Sequence, residues 1–289
     1  MSYAFADEDA DLTVSLRRIA DEELGSAITR LRDGEDATAI HSVRKNLKKT
    51  RALLRLLRTG LDDQPAENAA LRAIAQALAT RRDAGARLTT FDRLFPDLPG
   101  ALLPLREHLA NASLSPASRL PREVDSALKA VRKRAAKWSL HGKDAKILHQ
   151  GLADTRRKAV RAAKAALADP TSEIRIHDWR KRVKDHWYQA RLFAPCWPEL
   201  FKPMVDTADR LGEALGEHHD LSLFADLVIS LPDQLVTASA QQVLAAAIPE
   251  ARARIENDVF PIAGRLFAGE PDNVADLWLD LRGVWLGLA

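Results

Sequence analysis

Cations recur twice at one fixed spacing in this chain. HSVRKNLKKTRALLRLLR, from His41 to Arg58, and HDWRKRVKDHWYQARLF, from His177 to Phe193, both read His-x-x-Arg-Lys-x-x-Lys and add an Arg seven residues on. Wound as a helix, His41, Arg44, Lys45, Lys48 and Arg55 share an arc of roughly 100°, with Ile40, Val43, Leu47, Leu54 and Leu57 on the other side. His177, Arg180, Lys181, Lys184 and Arg191 repeat those offsets without a gap, while Val183, Ala190 and Phe193 take apolar positions. Such a stripe binds anions: Lys supplies a mobile point charge and Arg a two-pronged donor.

The bland alternative is a solvated helix face, but such faces mix signs because Glu–Lys pairs at i,i+4 are favourable. His41 to Arg58 contains no acid. Arg44/Lys48, Lys45/Lys48, Lys45/Lys49, Lys48/Arg51, Arg51/Arg55 and Arg55/Arg58 are all cationic pairs at i,i+3 or i,i+4. Together they cost the helix on the order of 1 to 3 kcal/mol. A polyanion absent from the free chain accounts for that cost. Two stripes facing one another would focus their potential into a single track. Charge alone extends the candidate track, through Arg51, to Arg132, Arg134, Arg156, Arg157, Arg161 and Lys164.

His41 and His177 open the stripes, either as packing or hydrogen-bonding residues or as direct phosphate contacts. The second role predicts tighter binding as pH falls through about 6.5. Glu213, Glu217, His218, His219 and Asp220 resemble a metal-ligand cluster, yet Arg81 and Arg82 stand in the first half where His218 and His219 stand in the second. Arginine does not ligate metals and does bind phosphate, so the pattern favours anion contact, with Asp83 and Asp220 orienting cations. Trp179 and Trp187 fall toward the apolar side and read as core. Tyr188 falls on the cationic face, where its hydroxyl can donate to a phosphate oxygen.

The motif, recurring once per half and followed each time by a segment ending in Asp (LATRRDAG, Asp83; LGEHHDLS, Asp220), resembles the CHAD domain, the conserved histidine α-helical domain. The resemblance spans about Leu12 to the C-terminus and is strongest between Gly151 and Leu221. It implies an all-α fold of two pseudo-symmetric helical bundles facing each other around a basic groove or pore, binding inorganic polyphosphate. It does not imply catalysis or a cofactor, and it suggests association with polyphosphate granules.

The elements that must carry these residues read as helices throughout, with no alternating strand pattern and no Gly-rich phosphate loop. Expected helices run over Asp11–Arg32, the first stripe to Gly60, Glu67–Thr80, Arg122–Trp138, Lys143–Leu167, the second stripe and Met204–Leu215, with two or three more to Trp285. Five prolines between Phe95 and Pro121 mark a seam, with one short helix expected at Leu105–Ala110. The halves are then 1–121 and 122–289. Pro195, Pro198 and Pro203 mark a further turn.

Net charge is only +3, but charge is segregated. Lys129–Lys164 holds twelve Lys and Arg and two acids, and Glu199–Ala289 fifteen acids and six Lys and Arg. Placement is therefore more informative than total. No apolar run reaches the ~20 residues of a membrane span. The acidic start MSYAFADEDAD lacks the pattern of a secretory signal, so a cytoplasmic protein is expected. The single Cys196 rules out an intramolecular disulfide. Two other functions fit a basic stripe: single-stranded nucleic-acid binding, in which rings stack on bases, and metal-dependent phosphohydrolysis, which needs carboxylates holding Mg²⁺.

Overall fold

The computed structural model describes residues 3–34, 37–78, 83–114 and 123–288, and every regular element among them is helical. They are α1 (Leu12–Asp33), α2 (Ala37–Leu56), α3 (Gln64–Ala77), α4 (Asp83–Leu94), α5 (Leu103–Leu114), α6 (Glu123–Ala135), α7 (Asp144–Ala168), α8 (Glu173–Phe193), α9 (Pro198–Ser230), α10 (Ala238–Leu266) and α11 (Pro271–Trp285). Short 3-10 turns lie at Gly100–Leu102 and Ala194–Cys196.

Local chemistry explains the ends. Asp11 caps α1 by accepting from the Val14 N–H at 2.8 Å, and Asp144 of α7 accepts from the Leu12 N–H at 3.0 Å. Two orphan donors of one helix are thus satisfied from two places. Helix α3 begins at Gln64, earlier than expected, because Pro65 is compatible with a first turn. Pro195 and Pro198 flank the turn before α9, whereas Pro203 is taken into that helix.

Two apolar cores hold the helices. The larger gathers the buried faces of α1, α2, α3, α6, α7, α8 and α11 with the first part of α9 and the last part of α10. The smaller joins Phe91, Phe95, Leu102, Leu105 and Leu109 to Phe224, Val236, Ala240, Leu244 and Ile248. The Pro-rich seam is therefore partly core, since Phe95, Leu102, Leu105 and Leu109 bury against the second half. Helix α6, expected to open the second half, packs instead on α1 and α3. Arg132 grips Asp21 with Nε and Nη2 at 2.7 and 2.9 Å, and Arg134 grips Glu67 at 2.7 and 2.8 Å. Both are bidentate guanidinium–carboxylate clamps.

Helices α2 and α7 approach closely at Gly151, where a Cβ would lie 1.9 Å from the Leu56 carbonyl oxygen. The N-terminal residues are also structural. Tyr3 and Phe5 are buried, the Phe5 N–H donates to the Leu192 carbonyl, and Phe5 packs edge-on against Phe193.

Candidate anion-binding site

Helix α2 is amphipathic as read, whereas α8 is buried on every side from Asp185 to Ala190, and the two helices meet at their second halves. Arg55 of α2 pairs with Asp185 of α8. At the repeat-equivalent positions stand Lys49 and Arg191, which would repel. There the Tyr3 ring lies between them, 5.5 Å from Lys49 Nζ and 5.8 Å from Arg191 Cζ, and its hydroxyl donates to the Lys49 carbonyl at 3.1 Å. The ring's negative face attracts both cations. Lys49 also pairs with the buried Glu23 at 2.7 Å. In its first half each stripe runs along the helix that follows it, α2 along α3 and α8 along α9.

Equivalent arginines are anchored the same way in the two halves. Arg44 Nη1 donates to the Ala75 carbonyl of α3 at 3.2 Å, and Arg180 Nε donates to the Gly212 carbonyl of α9 at 3.3 Å. Ala75 and Gly212 stand eight residues before Asp83 and Asp220 respectively, so the bonded carbonyls are equivalent too. On α9, glycine makes room: a Cβ at Gly212 would meet Lys184 Cε at 2.7 Å, and one at Gly216 would meet Arg180 Nε at 3.0 Å. Lys184 pairs with Asp209 at 2.9 Å. It lies 4.5 Å from the Trp187 ring, and Arg191 lies 5.0 Å from it. Trp187, expected as core, is buried and also props two stripe cations.

His41, Lys45, Lys48 and Lys181 are exposed, and Arg44 and Arg180 are half-buried. Arg51 donates to the Asn68 side chain of α3 at 3.0 Å. Burial, then Arg55 and Arg72, holds its pKa below the usual arginine range. His177 stacks on His219 with ring centroids 4.5 Å apart. Burial first, then Lys181, His219 and Arg180, pushes the His177 pKa down to about 4, so this imidazole is neutral at pH 7. The titration expected near pH 6.5 therefore lies lower in the free protein.

Several extension residues serve the packing. Arg156 is 5% exposed and donates to the Leu266 and Ala268 carbonyls, fastening the end of α10. Tyr188, expected on the ligand face, is 4% exposed and packs edge-on against Tyr3, because α2 and the N-terminal segment cover that side of α8. His218 is buried with Nε2 2.9 Å from Glu256. Arg132 and Arg134 clamp α6 as described. Arg157, Arg161 and Lys164 are exposed on α7, Arg157 pairing with Asp272 of α11 at 2.8 Å. Arg81 and Arg82 lie outside the described residues, as does the side chain of Asp83. Sequence reading passed over Tyr3, Asp209, Gly212 and Arg182, and took Asp185 only as a carboxylate off the cationic arc. Only Gly212 left a signal, as a glycine in a helix one turn before Gly216. Among the described residues no group of three or more His, Cys, Asp or Glu is placed to hold a metal ion. No helix among them is long and apolar enough to cross a membrane.

The fold and the paired basic helices define an all-α protein built on a duplicated cationic motif. The CHAD domain family model matches residues 15–228, and the chain belongs to that family. The crystal structure of the CHAD domain from the plant Ricinus communis is similar over 97% of this chain and 95% of that one, with a TM-score of 0.58 and 18% identity. That likeness shows the fold. No curated protein matches.

Proposed function

We propose that this chain binds inorganic polyphosphate without transforming it, along the two motif stripes and across their crossing. The observation that carries this reading is the meeting of two cationic helices, one free of acids, whose equivalent arginines are fixed on equivalent carbonyls. A phosphate chain offers anionic oxygens at short regular intervals without base edges, so cations in register suffice for recognition. Membership of the CHAD family supports the same reading, and the proposal extends to association with polyphosphate granules. The rings interleaved with the second stripe are buried, which disfavours a ligand that stacks bases on them.

The test is the double substitution Lys48→Glu and Lys184→Glu. It should abolish binding of long-chain polyphosphate along the stripes, leave helicity intact and flatten the salt dependence. Undiminished binding would place the track elsewhere. Wild type should bind polyphosphate in preference to single-stranded DNA at equal salt and release no orthophosphate with Mg²⁺. The opposite results would indicate nucleic-acid binding or phosphohydrolysis.

A further inference from the structure

A second knot of cations lies on the other flank of α8. Arg182 sits at least about 100° round that helix from Lys181 and Lys184, and its guanidinium spans Asp185 at 3.2 Å and Asp178 at 3.4 Å. Asp154 of α7 is shared by three cations: Arg58, Arg157 at 3.6 Å and Lys158 at 3.4 Å. Asp185 is shared by Arg55 and Arg182. Counting exposed Arg161, one turn beyond Lys158, six cations meet four paired carboxylates, the fourth being Asp272 on Arg157. Burial, then Arg157 and Arg182, lowers the Arg58 pKa, and burial, then Arg58 and Arg182, lowers that of Lys158, so each feels its cationic neighbours.

The duplication does not account for this knot. Arg182 and Asp185 correspond to Asn46 and Lys49 in the first half, where Lys49 pairs with Glu23. The carboxylate of Asp185 is thus replaced by a cation in the first half, and Arg182 by a neutral side chain. Carboxylates are also outnumbered: each Asp has two oxygens, and Asp154 serves three cations with them. A tetrahedral phosphoryl group carries more charge and more acceptors in a similar volume. The partly exposed guanidinium and ammonium groups of Arg58, Arg157, Lys158 and Arg182 can reach it from two helices and the turn after α2.

We propose that the knot formed by Arg58, Arg157, Lys158 and Arg182 around Asp154 and Asp185 is a second phosphate-binding site, adjoining the first motif stripe only where Arg55 shares Asp185. Its ligand is a phosphoryl group, from a short condensed phosphate or from the end of a long chain. Calorimetric titration with tripolyphosphate and with long-chain polyphosphate tests this in wild type, Lys158→Gln/Arg182→Gln, Lys48→Glu/Lys184→Glu and Asp154→Asn. One unit charge at about 4 Å in water corresponds to about fivefold. Tripolyphosphate binding should weaken at least about fivefold in Lys158→Gln/Arg182→Gln, survive in Lys48→Glu/Lys184→Glu, and tighten in Asp154→Asn, a gain that misfolding does not produce. Weakening of both ligands in Lys158→Gln/Arg182→Gln adds the chain end as a source, whereas weakening of the long chain alone overturns the proposal, because tripolyphosphate carries the same terminal phosphoryl groups. Unchanged binding of both ligands in that variant, or tripolyphosphate weakened only by Lys48→Glu/Lys184→Glu, overturns the proposal. Wild type that binds tripolyphosphate through the knot but not the long chain sinks the polyphosphate reading and leaves this one standing.

Discussion

Asp209→Asn separates the stability of this protein from its affinity. Lys184 Nζ lies 2.9 Å from Asp209 Oδ1, with the two side chains 25% and 37% exposed, so solvent screens the pair. A pair of that kind contributes about 0.2 to 1 kcal/mol to folding. A polyanion that engages Lys184 must break or share it. Removing the carboxylate should therefore lower unfolding free energy by about that amount while tightening polyphosphate binding by about 1.4- to 5-fold. The salt slope of log K should steepen by about 0.7 to 0.9, the value of one newly released counterion. Anisotropy of end-labelled polyphosphate between 50 and 200 mM salt reads the affinity, and urea unfolding reads the stability. If affinity falls along with stability, Asp209 is positioning Lys184 rather than competing for it, and the reasoning fails.

Three other outcomes test the packing. Gly151→Ala puts a methyl 1.9 Å from the Leu56 carbonyl oxygen, so α2 and α7 must separate at a cost of about 1 to 3 kcal/mol in urea unfolding; a neutral substitution would disprove the close approach. Tyr3→Phe removes the hydrogen bond to the Lys49 carbonyl and should cost about 0.5 to 1.5 kcal/mol, whereas Tyr3→Ala, which also lets Lys49 and Arg191 repel, should cost about 3 to 5. His186 is buried against Phe267 and Trp278, and burial, then Arg156, pushes its pKa down to about 3. The unfolded imidazole takes a proton near pH 6.5 and the folded one does not. Stability is therefore intact above pH 6.5 and falls by about 1.4 kcal/mol per pH unit below it, levelling near pH 3. His186→Phe should remove one proton's worth of that slope between pH 6.5 and 5, and an unchanged slope would show that the imidazole is not held neutral.

The sequence by itself determined most of the helices and their apolar faces, because period, caps and prolines are local properties, but α4 was not expected and α9 runs past both ends of the expected Met204–Leu215. Asp11, Gly34 and the apolar series in α1 locate that helix without reference to anything else. The same local reading exposed the duplicated stripe, since offsets along one helix translate directly into a face. Partners across space were not legible. Arg156 and Arg157 are neighbours of one type, yet one fastens α10 and the other stands exposed, and the difference lies in where α10 and α11 dock. Tyr188 falls on the cationic arc by angle, but the N-terminal segment covers it. The Pro-rich seam became core because α9 and α10 bring apolar faces to it. Tertiary structure alone decided which cations meet, which carboxylates lie between them, and that the two stripes join at a crossing. Those are long-range contacts, and no spacing along the chain encodes them.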